Sequence, residues 1–153
     1  MPIRIPGRRM GRPDYSRIVQ RVSLSAPTAE QGPYWAVVGP FTIGSGESIA
    51  ILIERGFSRN YEYVPQGKRF LIDHLEVTAD ANVLLRVDLQ HEDMEGELTT
   101  LGIAYGYQRV ILEPRRAFYF RENTRPVYVI YNYGDVSIKV FMNIYGTVEN
   151  VPG

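Results

Sequence analysis

The chain has 153 residues, which is the size of one domain and enough to bury a hydrophobic core. Hydrophobic residues make up 44% of it and charged residues 22%, a composition that excludes an intrinsically disordered protein. It contains no cysteine, so disulfides and thiolate metal sites are excluded and no oxidising compartment is implied. The apolar runs are shorter than the roughly 20 residues of a membrane helix. No apolar segment follows the first arginines, so we expect neither export nor membrane contact.

The formal net charge of zero conceals a division of charge along the chain. Residues 1–25 contain six arginines and a single acid, Asp14, which gives a formal charge of +5. The remaining residues carry 11 basic and 16 acidic side chains, which gives −5. The sequence therefore predicts a basic arm, residues 1–25, attached to an acidic body, residues 26–153.

Proline and glycine recur among the first arginines, and neither a helix nor an inner strand tolerates that density of breakers. We expect an extended arm, in which residues 15–24 form a short strand or one helical turn. Such an arm could bind nucleic-acid phosphates, lie on an acidic protein surface, or have no function. The apolar residues between the arginines favour a protein groove, because purely electrostatic binding would not need them. The candidate partner-binding residues are Ile3, Arg4, Ile5, Arg8, Arg9, Met10, Arg12, Tyr15, Arg17 and Arg21.

The body reads as a succession of short alternating segments separated by turn residues, at spacings typical of a sandwich or barrel. No segment keeps a helical period over three turns. The main predicted strands are residues 34–43, 48–54, 68–78, 83–90, 98–107, 109–112, 127–133 and 136–145. We predict an all-β fold, an antiparallel jelly-roll-like β-sandwich of about eight strands with an extended N-terminal arm. The uneven loops favour it over an up-and-down barrel.

The clearest strand pattern lies in residues 126–148. Gly134-Asp135 separates two alternating runs, as in a hairpin with a two-residue type II′ turn. In that register one face is core, formed by Val127, Val129, Tyr131, Tyr133, Val136, Ile138, Val140 and Met142. The other face would expose an apolar patch that a neighbouring subunit or the arm covers. This possible subunit interface comprises Tyr128, Ile130, Phe141 and Tyr145.

No motif with catalytic spacing is present in the sequence. His74 and His91 with a carboxylate could hold a metal ion, but no ligand spacing selects them. The acidic run 91–97 lacks the offsets of a calcium loop and suits a solvated turn. Gly44-Ser45-Gly46 is not followed by a helix, so it is a turn and not a nucleophile elbow. We therefore expect no catalytic residue, no metal site, no cofactor and no enzymatic activity.

The chain resembles the small β-sandwich structural proteins of tailed-phage virions, the capsid decoration (cement) and head-to-tail accessory class. The arm, residues 1–24, and a body ending in PVYVIYNYGDVSIKVFMNIYGTV carry this resemblance. It implies a non-enzymatic virion protein of a bacteriophage, assembled in the host cytoplasm. It further implies a homo-oligomer, a trimer or larger ring, whose arm reaches onto a major capsid or connector protein.

Two other functions remain open at this point. A carbohydrate- or ligand-binding module, such as a receptor-binding domain, would use exposed aromatic platforms. The candidates for such platforms are Trp35, Tyr34, Tyr61, Tyr63, Tyr105 and Tyr107. A nucleic-acid-binding accessory protein would instead bind with an affinity that falls steeply with salt.

Overall fold

The computed structural model describes residues 18–23, 31–54, 57 and 61–152. Within these ranges, the chain forms strands and turns, and no helix is long and apolar enough to cross a membrane. The strands in chain order are β1 (Ile18–Ser23), β2 (Gly32–Ile43), β3 (Ser48–Glu54), β4 (Lys68–Ala79), β5 (Leu84–Asp93), β6 (Leu98–Tyr107), β7 (Arg109–Leu112), β8 (Phe118–Phe120), β9 (Thr124–Asn132) and β10 (Ile138–Asn150).

The strand order in the two sheets is that of a jelly roll. Sheet 1 runs β1-β3-β9-β5-β6, and sheet 2 runs β2-β10-β4-β7 with β8 beside β4. If β1 and β8 are left out and the remaining strands are numbered one to eight in chain order, sheet 2 contains strands one, eight, three and six, and sheet 1 contains strands two, seven, four and five. This is the strand order of a jelly roll. All pairs among these eight strands are antiparallel. The predicted antiparallel jelly-roll-like sandwich is therefore confirmed, and β1 and β8 are additions to it.

β1 extends sheet 1 by pairing in parallel with β3 over six residues, from Ile18 opposite Ile49 to Ser23 opposite Glu54. Val22 packs against the main core. Of the two conformations predicted for residues 15–24, the described part adopts the strand. Among the predicted arm residues only Arg21 is described, and it is exposed on β1. The others precede residue 18 and, like the predicted boundary at residue 25, lie outside the described residues.

The main core lies between the two sheets and consists of the side chains that point inward from both of them. Around Phe70 the rings of Tyr34, Phe57 and Phe120 pack with centroids 4.5, 5.0 and 5.7 Å away. A second, smaller cluster lies on the outer side of sheet 1. It comprises Ala50, Leu52, Val127 and Val129. β9 is therefore covered on both faces, which explains why six consecutive residues of it, 126–131, are apolar or aromatic.

The predicted hairpin of residues 126–148 is wrong, because β9 and β10 belong to different sheets. β9 pairs with β3 and β5, whereas β10 pairs with β2 and β4. The connection crosses from one sheet to the other over Asn132, which is fully buried. Its side-chain amide donates to the carbonyl oxygens of Ile43 and Gly44, each at 3.1 Å, and of Val136 at 2.8 Å. These bonds fix the end of β9 to the β2–β3 turn.

Gly134 does not take the positive φ of the predicted type II′ turn. A Cβ atom at this position would lie 2.5 Å from Val83 Cγ1, so glycine is required by a close approach. The Gly134 amide donates to Asn132 Oδ1 at 2.8 Å, and its carbonyl oxygen accepts the Ser45 hydroxyl at 2.8 Å. The connection is thus an ordered bridge between the two sheets.

The four residues predicted as a possible subunit interface do not share a surface. Tyr128 and Ile130 point from β9 into the main core and are 1% and 0% exposed. Phe141 and Tyr145 lie on the outer face of sheet 2 and are 46% and 41% exposed. The sequence-based prediction groups these four residues because its hairpin places β9 and β10 side by side in one sheet. In the sandwich β9 and β10 belong to different sheets, and their inward faces oppose one another across the core. Of the predicted core face, Ile138, Val140 and Met142 are buried in the main core, whereas Val127 and Val129 belong to the outer cluster of sheet 1. Tyr133 and Val136, also predicted as core, are exposed.

β4 changes its inward face at a bulge. Ile72 lies opposite Gly146 and His74 opposite Tyr145, so two steps along β4 match one along β10. Strict alternation along the predicted strand 68–78 would place His74 on the same face as Ile72, and the structure departs from it because Asp73 is the extra residue. The bulge directs His74 to the outer face of sheet 2, beside Tyr145.

Candidate interaction surfaces

The two histidines lie in different parts of the sandwich. His74 is on the outer face of sheet 2, whereas His91 faces inward, its ring 6.2 Å from that of Phe120. Over the described ranges, no three histidine, aspartate or glutamate side chains are grouped as metal ligands. The structure therefore does not bring together the metal ligands considered from the sequence.

The acidic run 91–97 contains the turn between β5 and β6. Asp93 Oδ1 accepts hydrogen bonds from the amides of Glu95 at 2.9 Å and Glu97 at 3.0 Å. The bond from the Glu97 amide, followed by that from Glu95, holds the pKa of Asp93 below its usual value. Asp93 thus has a structural role in ordering this turn, in agreement with the predicted solvated turn.

The aromatic residues considered as ligand platforms separate into buried and exposed ones. Tyr34 is buried in the main core, and this burial raises the pKa of its phenol. Tyr63 is half-buried, with the Arg125 guanidinium carbon 4.7 Å from its ring centroid. Four candidates remain exposed, namely Trp35, Tyr61, Tyr105 and Tyr107.

An apolar surface covers part of the outer face of sheet 2, where β2 and β10 pair. We call it the sheet 2 surface; it comprises Trp35, Val37, Phe141 and Tyr145, which are 61%, 50%, 46% and 41% exposed. Trp35 lies opposite Tyr145 in the register, and their rings stack with centroids 6.0 Å apart and planes 11° apart. Asn143 lies opposite Val37, between Phe141 and Tyr145, so one polar residue divides the apolar side chains of this surface. Exposed apolar patches bordered by polar residues mark sites of interaction.

A polar row borders the sheet 2 surface along β4. The His74 ring meets Tyr145 edge-on at 5.5 Å, and its Nδ1 and Nε2 lie 2.7 Å from Glu113 Oε2 and 3.2 Å from Glu76 Oε1. Arg109 Nε lies 2.8 Å from Glu76 Oε2. The hydrogen bond to Glu113 raises the pKa of His74, and the bond from Arg109 lowers the pKa of Glu76. Protonated His74 is therefore favoured by two carboxylates.

The outer face of sheet 1 carries a group that we call the tyrosine–arginine cluster. Its members are Arg86, Asp88, Tyr105, Tyr131 and Tyr133. Arg86 donates from Nε to Asp88 Oδ1 at 2.8 Å and from Nη2 to Oδ2 at 2.9 Å, and Asp88 is buried. The three rings are nearly parallel, since Tyr133 is inclined by 19° to Tyr105 and by 25° to Tyr131. A bidentate ion pair thus fixes a guanidinium among aromatic rings.

A second ion pair lies further along the same face, on β9 and β5. Arg125 is 8% exposed and Glu92 4% exposed, and Arg125 Nε and Nη2 both lie 2.7 Å from Glu92 Oε1. Arg125 Nη1 also lies 3.2 Å from Oε2 of the more exposed Glu62. This buried pair is a structural element of sheet 1.

Neither Arg86 nor Asp88 is among the site residues predicted from the sequence. In the predicted strand 83–90, the apolar residues Leu85, Val87 and Leu89 share one face, which places residues 86 and 88 together on the other face. Opposite charges two residues apart on one strand face are within reach of each other. The burial of Asp88 and the position of Tyr131 beside Arg86 depend on β6 and β9 being the neighbours of β5, which the sequence does not show.

No protein-family model matches the sequence, and no characterised protein is detectably related to it by sequence. Among solved structures, the chain is similar to a Yersinia pseudotuberculosis-derived mitogen, with 9% identity and a TM-score of 0.39 over 79% of this chain and 91% of that one.

Two further similar structures are of viral origin. For tomato aspermy virus the identity is 12% and the TM-score 0.40, over 85% of this chain and 83% of that one. For the virus-like particle of Macrobrachium rosenbergii extra small virus the identity is 12% and the TM-score 0.38, over 78% of this chain and 79% of that one. Similarity at this level identifies neither family nor function. The resemblance to tailed-phage proteins stays a prediction.

Proposed function

We propose that this chain is a non-enzymatic structural protein of a virion, which self-associates and stabilises a capsid or connector assembly. The observation that carries this proposal is the sheet 2 surface. Trp35 and Tyr145 are of the residue types that dominate the energy of protein interfaces, and they stack as a ready-made anchor. Val37 and Phe141 extend the apolar area along the same two strands.

The fold and the charge distribution support the virion part of the proposal. Jelly-roll sandwiches build viral capsids, although they also occur in lectins and other proteins, so the fold alone does not decide the role. The acidic body and the +5 charge of residues 1–25 make copies of this chain complementary to one another. In this proposal the arm contacts a neighbouring subunit, or a major capsid or connector protein.

The test is the mass of the protein in solution, measured by light scattering over a range of concentrations. We expect a mass of three or more times 17.5 kDa. Trp35→Asp should shift the protein toward the monomer, because a charge would be buried in the interface. Tyr107→Asp is the matched control, since Tyr107 is similarly exposed (68% against 61%) but extends from β6 in the other sheet.

Two truncations separate the arm from the strand that follows it. Removal of residues 1–17 keeps β1, whereas removal of residues 1–23 also deletes β1 and exposes the edge of β3. If the arm makes the intersubunit contact, the shorter truncation already lowers the mass. A monomer at every concentration for the full chain would contradict the proposal.

The nucleic-acid alternative makes a different prediction. A phosphate-binding arm loses affinity steeply as salt rises, and its removal would abolish binding to DNA or RNA while leaving the mass of the assembly unchanged. The same two truncations therefore distinguish the two roles of the arm.

A further inference from the structure

We propose that the tyrosine–arginine cluster on the outer face of sheet 1 binds a neutral oligosaccharide. The cluster consists of Arg86, Asp88, Tyr105, Tyr131 and Tyr133, on strands β5, β6 and β9 and just beyond the end of β9. The sheet 2 surface is on the other layer of the sandwich, so a copy that associates through sheet 2 leaves this cluster open to a ligand. The proposal is independent of the proposed self-association.

The cluster is held in place before any ligand arrives. The bidentate bonds of Arg86 to Asp88, at 2.8 and 2.9 Å, leave Nη1 to donate to the Tyr133 hydroxyl at 3.4 Å. The guanidinium carbon lies 4.6 Å from the ring centroid of Tyr131 and 5.9 Å from that of Tyr105. Because these side chains are already ordered, a ligand would meet a small entropic cost for fixing them.

The exposed parts of the cluster match the chemistry of a pyranose. A pyranose ring has an apolar face of C–H groups and a rim of hydroxyls. Tyr105 and Tyr133 are 58% and 47% exposed, and each offers a flat apolar ring together with a hydroxyl that both donates and accepts. The ring centroids of Tyr105 and Tyr133 are 6.5 Å apart, so adjoining rings can contact one extended sugar chain. Arg86 adds hydrogen-bond donors between the rings.

The charge of the cluster selects a neutral ligand. The charge of Arg86 is matched by Asp88, so the site has no net charge, and residues 26–153 carry a formal −5. Neither a phosphate nor a sialylated glycan gains a net attraction from such a site. This argues against a nucleic acid, although tyrosine rings also stack on bases. A protein partner is better matched by the sheet 2 surface, where exposed aliphatic and aromatic side chains adjoin.

The experiment uses the full chain on an array of neutral and sialylated oligosaccharides, followed by calorimetric titration of the tightest neutral binder. We expect Tyr105→Ala to weaken binding by about tenfold or more, as for the loss of one aromatic contact. Tyr119→Ala, which removes a similarly exposed tyrosine from β8 (50% against 58%), away from both the cluster and the sheet 2 surface, should leave the affinity unchanged. Tyr133→Phe keeps the ring and removes only the hydroxyl, so a smaller loss of affinity is expected even if Tyr105→Ala disturbs the fold.

Salt separates the neutral ligand from a charged one. The affinity for a neutral oligosaccharide should stay constant as sodium chloride is raised from about 0.05 to 0.5 M, because no ion pair forms with the ligand. Three results would each overturn the proposal: no neutral oligosaccharide binds, binding is confined to sialylated glycans and falls with salt, or Tyr119→Ala abolishes binding while Tyr105→Ala does not. None of them bears on the mass of the assembly, so the proposed function stands or fails separately.

Discussion

Replacing Glu92 with alanine would leave the Arg125 guanidinium buried without its main partner. Breaking a buried ion pair in this way typically costs about 3–5 kcal/mol of unfolding free energy. Here the loss should fall near 3 kcal/mol, because Glu62 Oε2 still lies 3.2 Å from Arg125 Nη1 and the Tyr63 ring still faces the guanidinium. For a domain of this size, that corresponds to a fall in melting temperature of roughly 6–12 °C.

The assay is chemical and thermal unfolding at one fixed protein concentration, since self-association would itself change the apparent stability. Glu62→Ala is the matched control, because it removes a carboxylate from the same arginine, but one whose side chain is 37% exposed. It should cost less than about 1 kcal/mol. Replacing Arg125 by methionine in the Glu92→Ala variant should recover stability by removing the unpaired charge. Equal losses for Glu92→Ala and Glu62→Ala, or no recovery in the double variant, would refute this account of the pair.

Two further predictions concern the polar row on sheet 2 and the connection between β9 and β10. The pKa of His74 is raised in the folded protein, chiefly by Glu113, so its contribution is fully present below the unfolded value of about 6.5 and is lost as pH rises through the folded pKa. The stability difference between the wild type and His74→Gln should therefore be larger near pH 5.5 than near pH 9 in denaturant titrations, and a difference that grows with pH would contradict the assignment. Asn132→Ala leaves the Ile43 carbonyl oxygen without its donor in a buried site and removes the donor from the part-buried Val136 carbonyl oxygen, at a cost of about 3 kcal/mol. Ser45→Ala, at an exposed bond in the same connection, should cost less than about 1 kcal/mol. Equal values for these two variants, measured by equilibrium unfolding, would show that the buried amide does not hold the connection.

The sequence predicts most strands well because the period-2 pattern is a local property. The strands at residues 48–54, 98–107 and 109–112 agree with the structure to the residue, and residues 83–90 fall within one residue of the start of β5. The predicted inward side chains Ile138, Val140 and Met142 of β10 are also correct, because this strand alternates between the core and one other environment. β9 has an apolar environment on both sides, so its pattern identifies a strand but not which face points inward.

The predictions are wrong where the structure depends on contacts between distant parts of the chain. Gly134-Asp135 between two alternating runs is typical of a hairpin, and nothing local shows that Asn132 bonds to the backbone of residues 43 and 44 instead. The bulge in β4 is equally hidden, because the extra residue at Asp73 is defined only by its mismatch with β10. The candidate surfaces share this limitation, since an alternation pattern shows which residues share a face and not what lies beside them.

The amino-acid sequence by itself determined the all-β class, the antiparallel sandwich, the places of most strands and the division of charge between residues 1–25 and the rest. Tertiary structure alone decided which strands are neighbours, and therefore that Trp35 stacks on Tyr145 and that Arg86 lies among three tyrosines. The physical reason is that alternation and turn chemistry act within a few residues. Strand partners, in contrast, are chosen among many segments of similar pattern by packing and by buried hydrogen bonds such as those of Asn132.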